Sequence, residues 1–431
     1  MKWSRYIDII EDIQNTGFMY LFNAQNRTWI SLDPKLGEYL DGLNLSPDEL
    51  ELKHPQFYRT LVDNNYIVKD EQQDIANCLQ ALDEKLSSKK HLNIIINPTL
   101  DCNLRCWYCY EEHLKGSCMQ EEVTDNVITF LCEQACNPEC ETLQLSFFGG
   151  EPLLRYTKVV EPILKRLSPL CKLKNKKLWV SFTTNGVCLT EWMLSNLKSY
   201  TSNLSFQIAF DGGQHLHDKT KFFSNGKGCY AIVLKNAINA IKAGVRVVIR
   251  CNYTADNILS FLDLITDLKE YHSHANLYFS FHRIWQEEEN ESLERLKESL
   301  KTKLSDFKIN SNINTYLGSS LSSCYGDYIN NIVINYTGDV FKCTARDFSP
   351  ENRLGVIGKD GDILYSSKGL DRISHSQISV CYSCRMLPIC PICSQRKSEA
   401  EKGTCPINVD ENVVRRNMRA AFFDLSRLNV N

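Results

Sequence analysis

The chain has 431 residues, 43% of them hydrophobic and 23% charged, with 49 Lys and Arg against 52 Asp and Glu for a formal net charge of −3. This length exceeds one average domain and permits a substantial buried core, which excludes a small disulfide-stapled scaffold, and the near-balanced charge does not favour electrostatic capture of nucleic acid. The opening MKWSRYIDIIEDIQ is charged throughout and no run of about 18 apolar residues follows, so the expectation is a cytoplasmic protein with no membrane segment.

Strand-like GFMYLF at Gly17–Phe22, a polar AQNR turn and a second strand at Thr28–Leu32 read as a β-hairpin. Helical patterning at Lys35–Leu43 and Gln56–Asp63 and a short strand at Tyr66–Val68 complete a unit over residues 1–85, which predicts a winged-helix-like arrangement. Residues 1–75 hold seven Lys and Arg against thirteen Asp and Glu, so this unit lacks the basic footprint of a DNA reader, while peptide binding passes that test. DEKLSSKK, Asp83–Lys90, is a polar boundary.

From Leu92 to about Arg283 short apolar runs alternate with helix-period segments: LNIIINP, TLQLSFFGG (142–150), LWVSFTTNG (178–186), LSFQIAFDGG (204–213), VRVVIRCNYT (245–254) and NLYFSFHRI (276–284). With amphipathic stretches such as Tyr230–Ala243 and Leu259–Tyr271 between them, these runs predict a parallel α/β sheet with helical crossovers, either doubly wound or closed toward a barrel. Glu291–Leu304 sets Leu293, Leu296, Leu300 and Leu304 on one helical face, and NSNINTYLGSSLSS after it reads as a linker. Cysteine-rich loops begin at Cys324, and a terminal helix from about Glu411, with Val414, Met418, Phe422 and Leu425 on one face, is expected to pack back on the body.

Nineteen cysteines are many for a reducing compartment, though below the roughly 8–10% of a disulfide scaffold, and they point to metal. Cys102, Cys106 and Cys109 stand in the spacing C-x3-C-x2-C just after the first sheet strand. The same spacing suits a buried helical stripe, but the segment is studded with Asp101, Asn103, Arg105 and Glu111, and loops after parallel strands are where such folds place chemistry. Three thiolates on one loop can hold three irons of a cubane cluster and leave the fourth open.

With Tyr108 as the aromatic before the last cysteine, this motif resembles that of the radical S-adenosylmethionine superfamily. Phe148-Gly149-Gly150-Glu151-Pro152 looks like the family's GGEP element, Thr183-Thr184-Asn185-Gly186 ends the third strand, and Asp211 with His217-Asp218 follows the fourth. The resemblance implies a partial (β/α)6 TIM-like barrel over residues 90–308. It also implies an S-adenosylmethionine pocket built from Tyr108, Gly149, Gly150, Glu151, Pro152, Thr184, Asn185, Asp211, Lys221 and Arg250. Glu151 would receive the cofactor's amino group and Arg250 its carboxylate. Lys221 stands where the family usually has Arg, supplying charge without a planar fork.

Cys324, Cys343, Cys381, Cys384, Cys390, Cys393 and Cys405 form a second group, five of them within 25 residues. Structural zinc is the alternative ligand reading, but zinc ribbons separate their two knuckles by roughly 15–20 residues, whereas five residues lie between Cys384 and Cys390 here. The pattern resembles the SPASM extension, a C-terminal iron-sulfur domain over residues 320–431. By that resemblance Cys324, Cys343 and Cys393 hold a nearer auxiliary cluster and Cys381, Cys384, Cys390 and Cys405 an outer one, giving three [4Fe-4S] clusters in all. Two residues rather than the family's three separate Cys390 from Cys393.

Together these resemblances imply an enzyme that matures a ribosomally made precursor peptide. Its leader would be gripped by the N-terminal unit, electrons would come from a reductant such as flavodoxin or ferredoxin, and hydrogen abstraction by the 5'-deoxyadenosyl radical would lead to a thioether or carbon-carbon crosslink. The rival is an anaerobic sulfatase-maturating enzyme, which oxidises Cys or Ser to formylglycine. That family places a catalytic Asp directly after the cysteine matching Cys343; Thr344 stands there, and Asp347 is the candidate base three residues on. A non-catalytic iron-sulfur redox protein is the reading from another class.

Overall fold

The computed structural model describes residues 1–11, 18–40, 43–288, 290–305, 307, 309–313, 323–373, 379–401 and 404–428. Gly17, positions 41 and 42 of the predicted 35–43 helix and most of the predicted 310–323 linker lie outside the described residues. Contacts divide the chain into two compact units, one of Met1–Ser88, Thr315–Ile329 and Arg372–Asn431, the other of Lys89–Asn314 and Asn330–Asp371.

The first unit opens with β1 (Lys2–Trp3), β2 (Ile7–Glu11), β3 (Met19–Asn23), β4 (Thr28–Leu32), α1 (Pro34–Tyr39), α2 (Pro47–Lys53), α3 (Pro55–Asp63), β5 (Ile67–Val68) and α4 (Glu71–Leu86). The predicted hairpin is β3–β4; β2, α2 and α4 were not signalled, and α4 ends within the polar boundary read at Asp83–Lys90. Helices α1 to α3 each start at a proline, whose missing N–H costs nothing in a first turn, and Asp33 and Ser46 cap the first two by accepting from Leu36 N and Asp48 N at 3.0 and 3.2 Å. Strands β2, β3 and β4 form an antiparallel sheet in that order. One face packs Ile7, Leu21 and Leu32 with Leu40, Leu50 and Leu61 of the helical segment.

The second unit contains β6 (His91–Ile96), β7 (Leu104–Cys106), α5 (Glu121–Cys136), β8 (Thr142–Phe147), α6 (Glu161–Leu173), β9 (Lys177–Thr184), α7 (Glu191–Tyr200), β10 (Asn203–Phe210), α8 (Gln214–Thr220), β11 (Lys221–Phe223), α9 (Tyr230–Lys242), β12 (Arg246–Tyr253), α10 (Phe261–Asp267), β13 (Leu277–Arg283) and α11 (Glu291–Leu304). It continues with β14 (Asn331–Ile334), β15 (Asp339–Phe341), β16 (Gly355–Ile357), β17 (Ile363–Tyr365) and α12 (Ser367–Ile373), which runs into the first unit. All six predicted strands are present, paired in parallel in the order β6-β8-β9-β10-β12-β13. That order follows the chain without reversal, as in a partial barrel, whereas a doubly wound sheet reverses direction at a switch point.

These strands alternate in burial, except at the end of β12, where Cys251, Asn252 and Tyr253 are all buried. Leu92, Ile94 and Ile96, then Leu143, Leu145 and Phe147, and their counterparts on the other strands face the helices and are buried. Phe147, Phe182 and Phe206 stack there, with ring centroids 5.0 and 5.3 Å apart. The opposite face carries Gln144, Ser181, Thr183, Gln207, Arg250 and His282, all incompletely buried. A parallel sheet covered on both faces reads as continuous hydrophobic runs, so this alternation marks a sheet with one polar, accessible face.

Beyond Cys324 the structure departs from the expected loops. β14 joins the sheet parallel to β6, and β15, β16 and β17 follow as an antiparallel meander, extending the sheet to ten strands. Each has only three or four residues, too few for a periodic signal. In the first unit the chain ends with α13 (Ser394–Glu399) and α14 (Glu411–Leu428). The predicted terminal helix covers the second face of the β2–β4 sheet, with the Phe422 ring 4.8 Å from that of Tyr20 and edge-to-face with Trp29 at 5.6 Å. No helix among the described residues is long and apolar enough to cross a membrane.

Candidate active site

The cysteine loop leaves the C-terminal end of β6 and is fixed at both ends. Cys106 lies on β7, which pairs antiparallel with β11 so that Cys106 faces Lys221. The segment is strand and turn, not a helical stripe. On the other side Gly150 N donates to Thr99 O at 3.1 Å and Glu151 N to Asp101 O at 2.8 Å. A Cβ on Gly149 would stand 2.4 Å from the Thr99 carbonyl and one on Gly150 2.3 Å from that of Asp101. The paired glycines thus let two backbones touch immediately before Cys102.

Cys102, Cys106 and Cys109 line one cavity of about 200 Å³ with Tyr108, Gly149, Gly150, Thr184, Asn185, Lys221 and Arg250. Its walls come from the C-terminal ends of successive strands, where parallel α/β folds gather chemistry. All three cysteines are free thiols. Burial pushes Cys102 up to about 11, Cys106 up to about 12 and Cys109 upward, so in the absence of metal they stay protonated. Three sulfurs converging on one space is the donor set that a site-differentiated iron-sulfur cube requires, and the residues fit that group.

Glu151 and Pro152 stand behind the wall. Glu151 is fully buried, and its carboxylate accepts from Thr184 Oγ1 at 2.8 and 2.9 Å, Leu153 N at 3.0 Å and Asn185 N at 2.8 Å. Burial raises its pKa to about 7. The structure therefore gives this carboxylate to the Thr184-Asn185 turn rather than to the cavity. Lys221 is likewise committed. Its ammonium lies 2.9 Å from Asp211 Oδ2, both side chains almost wholly buried, and 5.8 Å from the Tyr108 ring centroid. Burial opposes its charge, yet the Asp211 carboxylate holds its pKa well above the usual value. Tyr108 donates its hydroxyl to Asp211 Oδ1 at 2.6 Å and accepts from Asn252 Nδ2 at 3.0 Å, while Asn252 Oδ1 takes Arg250 Nε at 2.9 Å. The predicted pocket residues are thus largely brought together, in two hydrogen-bonded groups around Glu151 and around Asp211.

Asp347 is not. It is exposed, does not line the cavity, and hydrogen bonds from Ser349 and Asn352 hold its carboxyl below the usual range, making it a weak proton acceptor. His217 and Asp218 also lie off the cavity. The Asp218 carboxylate takes Tyr230 N at 2.8 Å at the start of α9, and buried His217 lies 3.5 Å from Cys229 Sγ. Conversely, spacing did not signal His113, whose Nε2 is 3.4 Å from Cys109 Sγ, nor Asn252, Gln207 and Trp285, which also line the cavity. Asn252 and Trp285 lie at or just past a strand's C-terminal end, which is their one sequence cue.

In the first unit Cys381, Cys384, Cys390 and Cys405 line a separate cavity of about 660 Å³, a four-thiol donor set that fits an iron-sulfur cluster. Cys324 and Cys393 are hydrogen-bonded to each other. Their loops are tied by Asp327, which accepts from Ser394 N at 2.9 Å and Ser394 Oγ at 2.7 Å, and by Arg372, which donates to Ser394 Oγ at 2.7 Å. Cys343 belongs to the second unit, just past β15. Cys132 and Cys136 lie on α5, partly buried and exposed, and Cys140 follows that helix and is buried.

A parallel α/β sheet wound in chain order thus carries a three-thiol loop at the end of its first strand. Residues 96–265 match the model of the Radical SAM superfamily. Among curated proteins it is similar to a cysteine-type anaerobic sulfatase-maturating enzyme of Clostridium novyi, 27% identical over 34% of this chain and 40% of that protein. It is also similar to the radical SAM cyclopropyl synthase TigE of Paramaledivibacter caminithermalis, 27% identical over 33% and 30%. The matched region thus spans less than half of either relative. Among solved structures, native anSMEcpe with bound AdoMet and Cp18Cys peptide superposes with a TM-score of 0.57 at 20% identity, covering 79% of this chain and all of that one. Streptococcus suis SuiB bound to precursor peptide SuiA superposes at 0.54 and 17% identity, covering 95% of this chain and all of that one. These likenesses show a shared fold.

Proposed function

We propose that this chain is a radical SAM maturase that modifies a ribosomally made precursor peptide. The carrying observation is the single cavity in which Cys102, Cys106 and Cys109 meet the GGEP glycines, the Thr184-Asn185 turn, Tyr108 and Arg250. In this reading the three thiolates hold a [4Fe-4S] cluster, and Gly149, Gly150, Thr184, Asn185 and Arg250 hold S-adenosylmethionine, with Arg250 gripping its carboxylate through a two-bond fork. When bound, that pair supplies a 5'-deoxyadenosyl radical able to take hydrogen from an unactivated carbon. The Asp211–Lys221–Tyr108 network keeps the wall beneath it rigid. The polar sheet face leaves room for a substrate side chain.

Residues 320–431 supply the auxiliary clusters of a SPASM domain, the outer one on Cys381, Cys384, Cys390 and Cys405 and the nearer one on Cys324, Cys343 and Cys393. Residues 1–85 act as a winged-helix-like grip for the peptide's leader. Because α14 and α1–α3 cover both faces of the β2–β4 sheet, the leader adds at an edge, through main-chain hydrogen bonds. The enzyme works in the cytoplasm with a flavodoxin- or ferredoxin-type reductant, and a thioether or carbon-carbon crosslink is the product. The similarity to a sulfatase-maturating enzyme favours a second reading, oxidation of Cys or Ser to formylglycine.

The test is anaerobic reconstitution with iron and sulfide, then assay for 5'-deoxyadenosine, followed by coexpression with short peptides encoded beside the gene and tandem mass spectrometry. Reductive cleavage lost in the C102A/C106A/C109A variant, with two hydrogens missing from linked peptide fragments, is expected. An aldehyde at Cys or Ser promotes the second reading, and cleavage undiminished in the triple variant overturns both.

A further inference from the structure

Asn185 is the one residue of the cavity whose side chain addresses a cluster thiol with an unambiguous donor. Its Oδ1 accepts from Val187 N at 3.0 Å, which fixes the carboxamide's orientation. Its Nδ2 must then face the opposite way, where it lies 2.8 Å from Asn103 Oδ1 and 3.7 Å from Cys102 Sγ. One N–H is used by Asn103, and the other points at the sulfur. The turn carrying Asn185 is held in turn by the buried Glu151 carboxylate, through Asn185 N and Thr184 Oγ1, and by Gly186 at φ +79°.

We infer that Asn185 is a positioning and tuning residue that donates an N–H···S hydrogen bond to the Cys102 thiolate and thereby sets the reduction potential of the cluster at Cys102, Cys106 and Cys109. The inference rests on the proposed function. Reduction adds negative charge to the iron-sulfur core, so a donor on a ligand sulfur stabilises the reduced state more than the oxidised one. A hydrogen bond to a charged group is worth about tenfold or more in an equilibrium constant. Removing this donor makes the cluster harder to reduce. Glu151 acts one step behind, by fixing the turn.

The experiment uses the reconstituted full chain with 15N-labelled asparagine. The reduced signal that changes when S-adenosylmethionine is added identifies this cluster. Pulsed electron paramagnetic resonance of the labelled parent should show a 15N coupling on that signal, absent from labelled N185A. Redox titration should give N185A a reduced-to-oxidised ratio about threefold to tenfold lower at fixed potential, the full tenfold being ~59 mV for one electron, at equal iron and sulfide content. No asparagine coupling in the parent, or a ratio in N185A within twofold of it, overturns the inference. Should N185A fail to assemble the cluster, the parent's coupling alone decides. A parent that binds no iron overturns the functional reading itself, a result distinct from a loaded cluster without the coupling.

Discussion

Lys221 and Asp211 share a site from which water is almost excluded, so each is tolerable only because of the other. Removing one partner of a buried pair leaves an uncompensated charge and costs about 3–5 kcal/mol. K221M should therefore lower the apparent Tm of the metal-free protein by several degrees, and K221M/D211L should lose less than the single variant, as measured by thermal unfolding. The family resemblance pointed to these positions, but only the fold shows that they satisfy each other. Glu151 makes a pH-dependent contribution. Its carboxyl is raised from 4.5 to about 7 by burial, so the stability associated with it is fully present below the unfolded value and is lost as pH climbs through the folded one. E151Q cannot ionise. The stability of the metal-free parent relative to E151Q should fall between pH 4.5 and about 7, and a constant difference across that range would refute the assignment.

At the scale of elements, the decisive contact is turn against loop. A Cβ at Gly150 meets the Asp101 and Leu100 backbone within 2.7 Å, and backbone atoms cannot move aside as a flexible side-chain tip does. G150A should fold but misplace Cys102, losing most of the iron bound at the three-thiol site by elemental analysis. Asp327 plays a comparable part in the first unit. D327A frees Ser394 N and Oγ and should loosen the Cys324–Cys393 pairing, raising the rate at which a thiol reagent modifies those two cysteines in metal-free protein. The strands were legible because LNIII, TLQLSFF and LSFQIAF are short apolar runs set between helix-period segments. Helix α11 was legible through four leucines on one face, and the structure adds an Asn290 cap accepting from Leu293 N. β14 to β17 were not, because three or four residues carry no period and their pairing with β6 is set by tertiary register alone.

For the whole molecule, the seven late cysteines announced metal by density, but density does not say which of them converge. Four do so in one cavity of the first unit. Replacing Cys381, Cys384, Cys390 and Cys405 by serine should remove about four irons per chain, one cubane's complement, while the cluster signal that responds to S-adenosylmethionine persists. The late return of the chain to β6 has a further consequence. Asn93 and Asn331 meet across 238 positions, so during synthesis the outer margin of β6 stays unzipped until residues 331–334 have left the ribosome. A nascent or truncated chain ending before residue 331 would display that bare margin as a template for stray strands. Such truncations should aggregate even though every ligand of the first cysteine motif is present, and their solubility should recover once the β14–β17 meander is included.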